Sequence, residues 1–118
     1  MYKEIVIGGT LTPMTANATT PIRYKQVFHE DFYQVFSAEL AGGDYVEFAG
    51  KLAYIMKKAA DGADMNKLTT DEYWTWLESL PPLAIANAAA DVINLYSGSE
   101  ETTAKAKKNR DRQNAPTQ

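Results

Sequence analysis

The chain has 118 residues, 45% of them hydrophobic and 23% charged, with a formal net charge of −3. That length and composition suit one globular domain with a core of its own and exclude a wholly disordered chain. Cysteine is absent, which excludes disulfides, thiolate metal sites and cysteine nucleophiles.

From the N-terminus, Lys3–Ile7 and Thr10–Thr15 are β-prone runs separated by Gly8-Gly9. A Gly-Gly pair supplies the two positive φ angles of a tight hairpin turn, so a β-hairpin is expected over about 3–15. Pro13 has no N–H to donate and marks its strand as an edge or as broken at that point. Thr20-Pro21 reads as an N-cap followed by a first-turn proline. It opens a helical region over about 21–40 that breaks near His29. Its apolar members are Ile22, Val27 and Phe28 before the break and Phe32, Val35 and Phe36 after it. Gly42-Gly43 ends this region and Asp44 caps the next helix, about 44–60. There Tyr45, Phe48, Leu52, Ile55, Met56 and Ala59 form one stripe at ~100° per residue, and Asp61-Gly62 stops it. Residues 63–68 read as a loop.

Thr69 and Glu72 have the spacing of a capping box. They start a helix over about 70–80 with Tyr73, Trp76, Leu77 and Leu80 on one side. Pro81-Pro82 breaks it and opens the last helix, about 82–97, with Ile85, Ala89, Val92, Ile93 and Tyr96 on its apolar face and Gly98 as a C-cap glycine. Beyond Gly98 no large apolar side chain occurs, and 98–118 reads as a disordered polar tail. The expected fold is thus mainly α: one helical domain, 1–97, with an N-terminal β-hairpin and that tail.

Charge and hydropathy narrow the class of partner. Residues 1–97 hold seven Lys/Arg and twelve Asp/Glu, whereas 98–118 hold five and three. An acidic body is poorly suited to phosphate backbones, so no nucleic-acid partner is expected. No run approaches the ~20 apolar residues of a membrane span. The N-terminal Met1–Glu4 and the short Ile5–Ile7 run lack the apolar region of a signal peptide. These features predict a cytoplasmic protein, neither secreted nor inserted in a membrane.

No catalytic, metal or cofactor residues are assigned. His29 is the single histidine; its neighbours Glu30 and Asp31 do not share its helix face. No phosphate-loop glycine pattern, nucleophile elbow or calcium-loop spacing is present. What remains is aromatic residues off the apolar stripes. Trp74 lies beside the Tyr73/Trp76 cluster, and Tyr54 lies opposite the main stripe among Glu47, Lys51 and Lys58. Tyr and Trp outside a core are frequent at interfaces; helices buried on two sides would place them in the core instead.

The order of features resembles the small tail assembly chaperones of long-tailed bacteriophages and prophages. The resemblance rests on the hairpin, on Ala18-Thr19-Thr20-Pro21-Ile22-Arg23-Tyr24-Lys25 with Phe28, and on Lys51-Leu52-Ala53-Tyr54-Ile55-Met56. It continues through Trp76-Leu77-Glu78, Ile93-Asn94-Leu95-Tyr96 and the polar Lys107-Lys108-Asn109, covering most of residues 1–109. It implies a non-enzymatic chaperone, without cofactor, that binds tape-measure and tail-tube proteins in the cytoplasm of the bacterial host. It also implies a longer frameshifted form; an adenine-rich slippery run would encode Lys107-Lys108-Asn109. Helix geometry then offers Tyr54, Tyr73 and Trp74 as protein-interaction residues, together with any uncovered face of the last helix. The alternative is a head–tail connector or tail-completion protein retained in the particle.

Overall fold

The computed structural model describes residues 1–40 and 45–98. Strands β1 (Tyr2–Ile7) and β2 (Thr10–Thr15) form an antiparallel hairpin in which Ile7 faces Thr10. Gly8 and Gly9 have φ of 61° and 83°, as a two-residue turn of this hand requires. Alternation sends Ile5, Ile7 and Met14 inward and leaves Tyr2, Val6 and Leu11 outside.

Helix α1 (Thr20–Phe28) begins one residue earlier than the Thr20 cap predicts: Thr19 is the N-cap. The reason is local. The Thr20 hydroxyl accepts from the Asn17 N–H at 3.0 Å, while Asn17 Oδ1 accepts from the Thr19 N–H at 2.8 Å. Ile22, named among its apolar members, is 67% exposed; Val27 is buried as expected, and Tyr24 is buried with it. The helix stops at His29, which adopts the left-handed conformation (φ 59°, ψ 34°) and donates its N–H to the Lys25 carbonyl. That is the break expected there. Asp31 Oδ1 accepts from the N–H groups of Tyr33 and Gln34 and starts α2 (Phe32–Leu40).

Helix α3 (Tyr45–Ala60) is the axis of the fold, touching β2, α1, α2 and the later helix α4 (Thr70–Glu78). Covered on more than one side, it buries not only Phe48, Leu52, Ile55 and Met56 but also Ala49, Gly50, Ala53 and Tyr54. Tyr45, assigned to the stripe, is exposed. Gly62 (φ 72°) ends the helix turn, and the loop beyond contains a short 3-10 turn, Met65–Lys67, capped by Asp64. Arg23 and Gln26 of α1 bind this loop at Asn66 and at the Met65 carbonyl.

Thr69 caps α4 by accepting from the Glu72 N–H. Residues 84–98 form the last helix, α5. Its Ala84, Ala88, Ala89, Val92, Ile93 and Tyr96 are buried. It remains helical through Gly98, which lies within its described part and not beyond its end. The proposed Gly42-Gly43 stop, the Asp44 cap and the tail from 99 onward lie outside the described residues.

An aromatic ladder unites the helices. Tyr24 lies 5.3 Å from Phe32 and 5.8 Å from Phe48; Phe32 lies 4.8 Å from Tyr96; Phe28 lies 5.0 Å from Tyr73, which lies 5.5 Å from Tyr54. Each edge-to-face or offset pair stabilises by about 0.5–1.5 kcal/mol beyond area burial. Among the described residues no helix is long and apolar enough to cross a membrane.

Candidate functional site: an apolar groove beneath Trp74

The three interaction candidates separate. Trp74 is 59% exposed, whereas Tyr54 is 0% and Tyr73 3% exposed. The expectation of a surface role for Tyr54 and Tyr73 is therefore corrected. For Tyr54 the misleading signal was its charged surroundings. Lys51 and Lys58 do not form a solvated face; their side chains are only 15% and 22% exposed. Their stems lie along the protein while their ammonium groups reach carboxylates at the periphery.

Two networks result. In the first, Glu30 Oε1 accepts from Tyr24 Oη at 3.0 Å and from Lys51 Nζ at 3.1 Å, and Lys51 also reaches Glu47 at 3.1 Å. This ties the α1–α2 junction to α3. Burial works against the Lys51 charge, but hydrogen bonds to Glu30 and Glu47 outweigh it and hold the ammonium above its ordinary pKa. Burial, followed by the Glu30 charge and its hydrogen bond, pushes the Tyr24 phenol up. In the second network, Glu72 Oε1 accepts from Tyr54 Oη at 2.7 Å and from Lys58 Nζ at 2.9 Å. Its carboxylate is thus turned toward α3 and does not complete the reciprocal half of a capping box. Those two hydrogen bonds hold the Glu72 carboxyl below the usual range. Both networks are built to join helices.

Trp74 belongs to a different environment. Tyr73 on its inner flank sits 5.7 Å away, ring to ring, and faces Gly50 of α3. A Cβ at Gly50 would lie 3.0 Å from Tyr73 Oη, so the absence of a side chain there brings α4 close to α3. Above this contact opens a groove of about 480 Å³ bounded by α3, α4, the Pro81-Pro82 break and the start of α5. Val46, Tyr73, Trp74, Leu77, Leu80 and Ile85 supply its apolar lining, and among the described residues Glu47 is the one charged side chain that lines it. Packing alone explains Tyr73; it does not explain a tryptophan left more than half exposed beside an apolar cleft.

Two other apolar surfaces compete. A groove of about 500 Å³ runs between α1 and α2, lined by Ile22, Phe32 and Tyr33 with Lys25 and Asp31. The outer hairpin face presents Val6 directly opposite Leu11, both exposed. The uncovered side of α5 carries Ala86, Asn87, Ala90, Asp91 and Asn94 and no large apolar residue. His29 is exposed, and no group of three His, Cys, Asp or Glu side chains among the described residues is placed to hold a metal.

Trp74 was legible in the sequence because Tyr73, Trp76 and Leu77 cluster on one side of α4 and leave Trp74 at the flank of that cluster. The groove was not, since it is assembled from three helices and a proline break. Searches against protein-family models, curated proteins and solved structures find no match to this chain.

Proposed function

We propose that this chain is a non-catalytic assembly chaperone that holds an apolar segment of a partner in the Trp74 groove. The carrying observation is the exposed indole of Trp74 over an apolar cleft, next to exposed Val46 and on a body otherwise rich in carboxylates. Tryptophan in such a position is the residue type that dominates binding energy at interfaces. A holding role needs an apolar surface, a charged remainder that stays in solution, and no reacting groups.

The resemblance to phage tail assembly chaperones names the partners: the aggregation-prone tape-measure protein and the tail-tube protein, bound in the host cytoplasm during tail assembly. A helical body behind an N-terminal hairpin is compatible with that likeness and supports it only at the level of architecture. The test is co-expression with the tape-measure and tail-tube proteins of the neighbouring genes. Either partner should become soluble only in the presence of this chain, and Trp74→Ala should weaken the effect. Retention of the chain in purified particles, with no solubilising effect on either partner, would overturn the reading in favour of a connector.

A further inference from the structure

We propose that the Trp74 groove selects a cationic amphipathic segment: a partner stretch whose large apolar side chains enter the cleft while Lys or Arg at its borders meets Asp71, Glu78 and the indole face. This rests on the reading of the groove as the holding site and adds the chemistry of what it holds.

Among the described residues, the charges that share the Trp74 face of α4 are of one sign. On α4, residues three before and four after Trp74 share its face, and these are Asp71 and Glu78, both exposed. Among the described residues neither carboxylate has an ion pair or a hydrogen-bonding partner for its side chain. Glu47, within the groove, is half exposed and shares Lys51 with Glu30. The lysines of the adjoining part of α3 are committed elsewhere, Lys57 to Asp61 at 3.1 Å and Lys58 to Glu72 at 2.9 Å. Among the described residues no Lys or Arg lines the cleft.

A neutral or acidic segment docking there would bring its own groups against uncompensated carboxylates. A segment with flanking cations would instead gain ion pairs on both sides of Trp74 and a cation–π contact with its ring. The α1–α2 groove, with Lys25 and Asp31 both in its lining, imposes no such sign. The chain's own residues 105–112 carry five Lys/Arg. They have no apolar side chain larger than alanine, so they match the rim of the groove but not its interior. The occupant is therefore a segment of another protein.

The test is the binding of two fluorescently labelled peptides to the full chain, followed by anisotropy at two salt concentrations. One peptide places leucines at helical spacing with lysines between them; the other replaces every lysine with glutamate. The lysine peptide should bind more tightly, and added salt should weaken it. Glu78→Gln should reduce its affinity a fewfold, and Asp71→Asn/Glu78→Gln by about five- to tenfold, the range of two exposed ion pairs. Glu78→Gln is included because Asp71 lies in the first turn of α4, where its charge also favours the helix. Trp74→Ala should reduce affinity by roughly thirtyfold or more.

Equal binding of both peptides, still dependent on Trp74, overturns the charge selection and leaves the holding groove standing. Binding by neither, or binding insensitive to Trp74→Ala, overturns both. A large gain in affinity from Lys105→Ala/Lys107→Ala/Lys108→Ala identifies the chain's own basic segment as the occupant and overturns the assignment to a partner.

Discussion

Replacing Tyr54 by phenylalanine isolates one hydrogen bond without opening a cavity, because the ring remains where it packs against Tyr73 and Trp76. The hydroxyl donates to Glu72 at 2.7 Å; its second acceptor, the Thr69 carbonyl, is 3.4 Å away and adds little. A hydrogen bond to a charged group is worth about 1.5–3 kcal/mol. Glu72 is 47% exposed, so water and Lys58 compensate it when the phenol is removed, and the lower part of the range applies. Tyr54→Phe should therefore destabilise by about 1–1.5 kcal/mol. In a domain of this size that lowers Tm by roughly 4–10 °C.

The same bond makes a signed prediction in pH. Glu72 is held below its ordinary value of 4.5, first by Tyr54 and then by Lys58. Its contribution is present above that value and is lost as pH falls through the lower, folded-state pKa. Tyr54 is pushed up, first by burial and then by its bond to Glu72. Its contribution is complete below the ordinary phenol value of about 10 and is lost as pH rises through the higher, folded-state pKa. Urea titrations from pH 3 to 11 should show the gap between wild type and variant widest at neutral pH and narrower at both ends. A variant as stable as wild type at pH 7, or a gap that ignores pH, would refute the buried-phenol account of Tyr54.

Phe48 is enclosed by Tyr24, Phe32 and Phe36, so Phe48→Ala should cost about 3–5 kcal/mol in a urea titration, much of the stability of a small domain. His29→Gly removes a side chain from a left-handed backbone position and should raise stability by about 0.5–1 kcal/mol, read as a higher Tm. Gly8→Ala combines a positive φ with a Cβ only 2.9 Å from Pro81 Cδ, and should lower stability by about 1–3 kcal/mol in the same assay. Trp74→Ala should change stability by less than about 0.5 kcal/mol while abolishing most binding, because the indole is largely in water.

The elements most visible in the sequence are those fixed by local chemistry. Gly8-Gly9 can be read as a hairpin turn, Thr69 as a cap and Asp61-Gly62 as a stop because each depends on a few adjacent residues. The break at His29 was also legible, from a change of pattern between two short helices. Ile22 and Tyr54 were misread for one shared reason. Helical periodicity reports which side of a helix is apolar on average, but not how many neighbours cover it. α1 turns Tyr24 inward because Glu30 waits for its hydroxyl, and α3 buries Tyr54 because α4 delivers Glu72 to it. Both pairings reach outside the helix that carries the tyrosine, to Glu30 past the His29 break and to Glu72 on α4, and a single helix carries no trace of its partner.

Those pairings also set Trp74 apart from Tyr24, Tyr54 and Trp76. Tyr24 and Tyr54 each bring a polar tip to a carboxylate at the edge of the core, so their burial is compatible with their chemistry. Trp76 lies 6.2 Å from Tyr54 and 6.0 Å from Lys57, anchored from two directions. Trp74, two residues earlier on α4 and so about 200° around its axis, has Tyr73 as its ring neighbour and carboxylates before and after it. The fold thus uses Tyr24 and Tyr54 to lock helices together and leaves the Trp74 indole with apolar surface on one side and negative charge on the other. A partner that supplied both an apolar side chain and a cation would complete around Trp74 what Lys57 and Tyr54 already complete around Trp76.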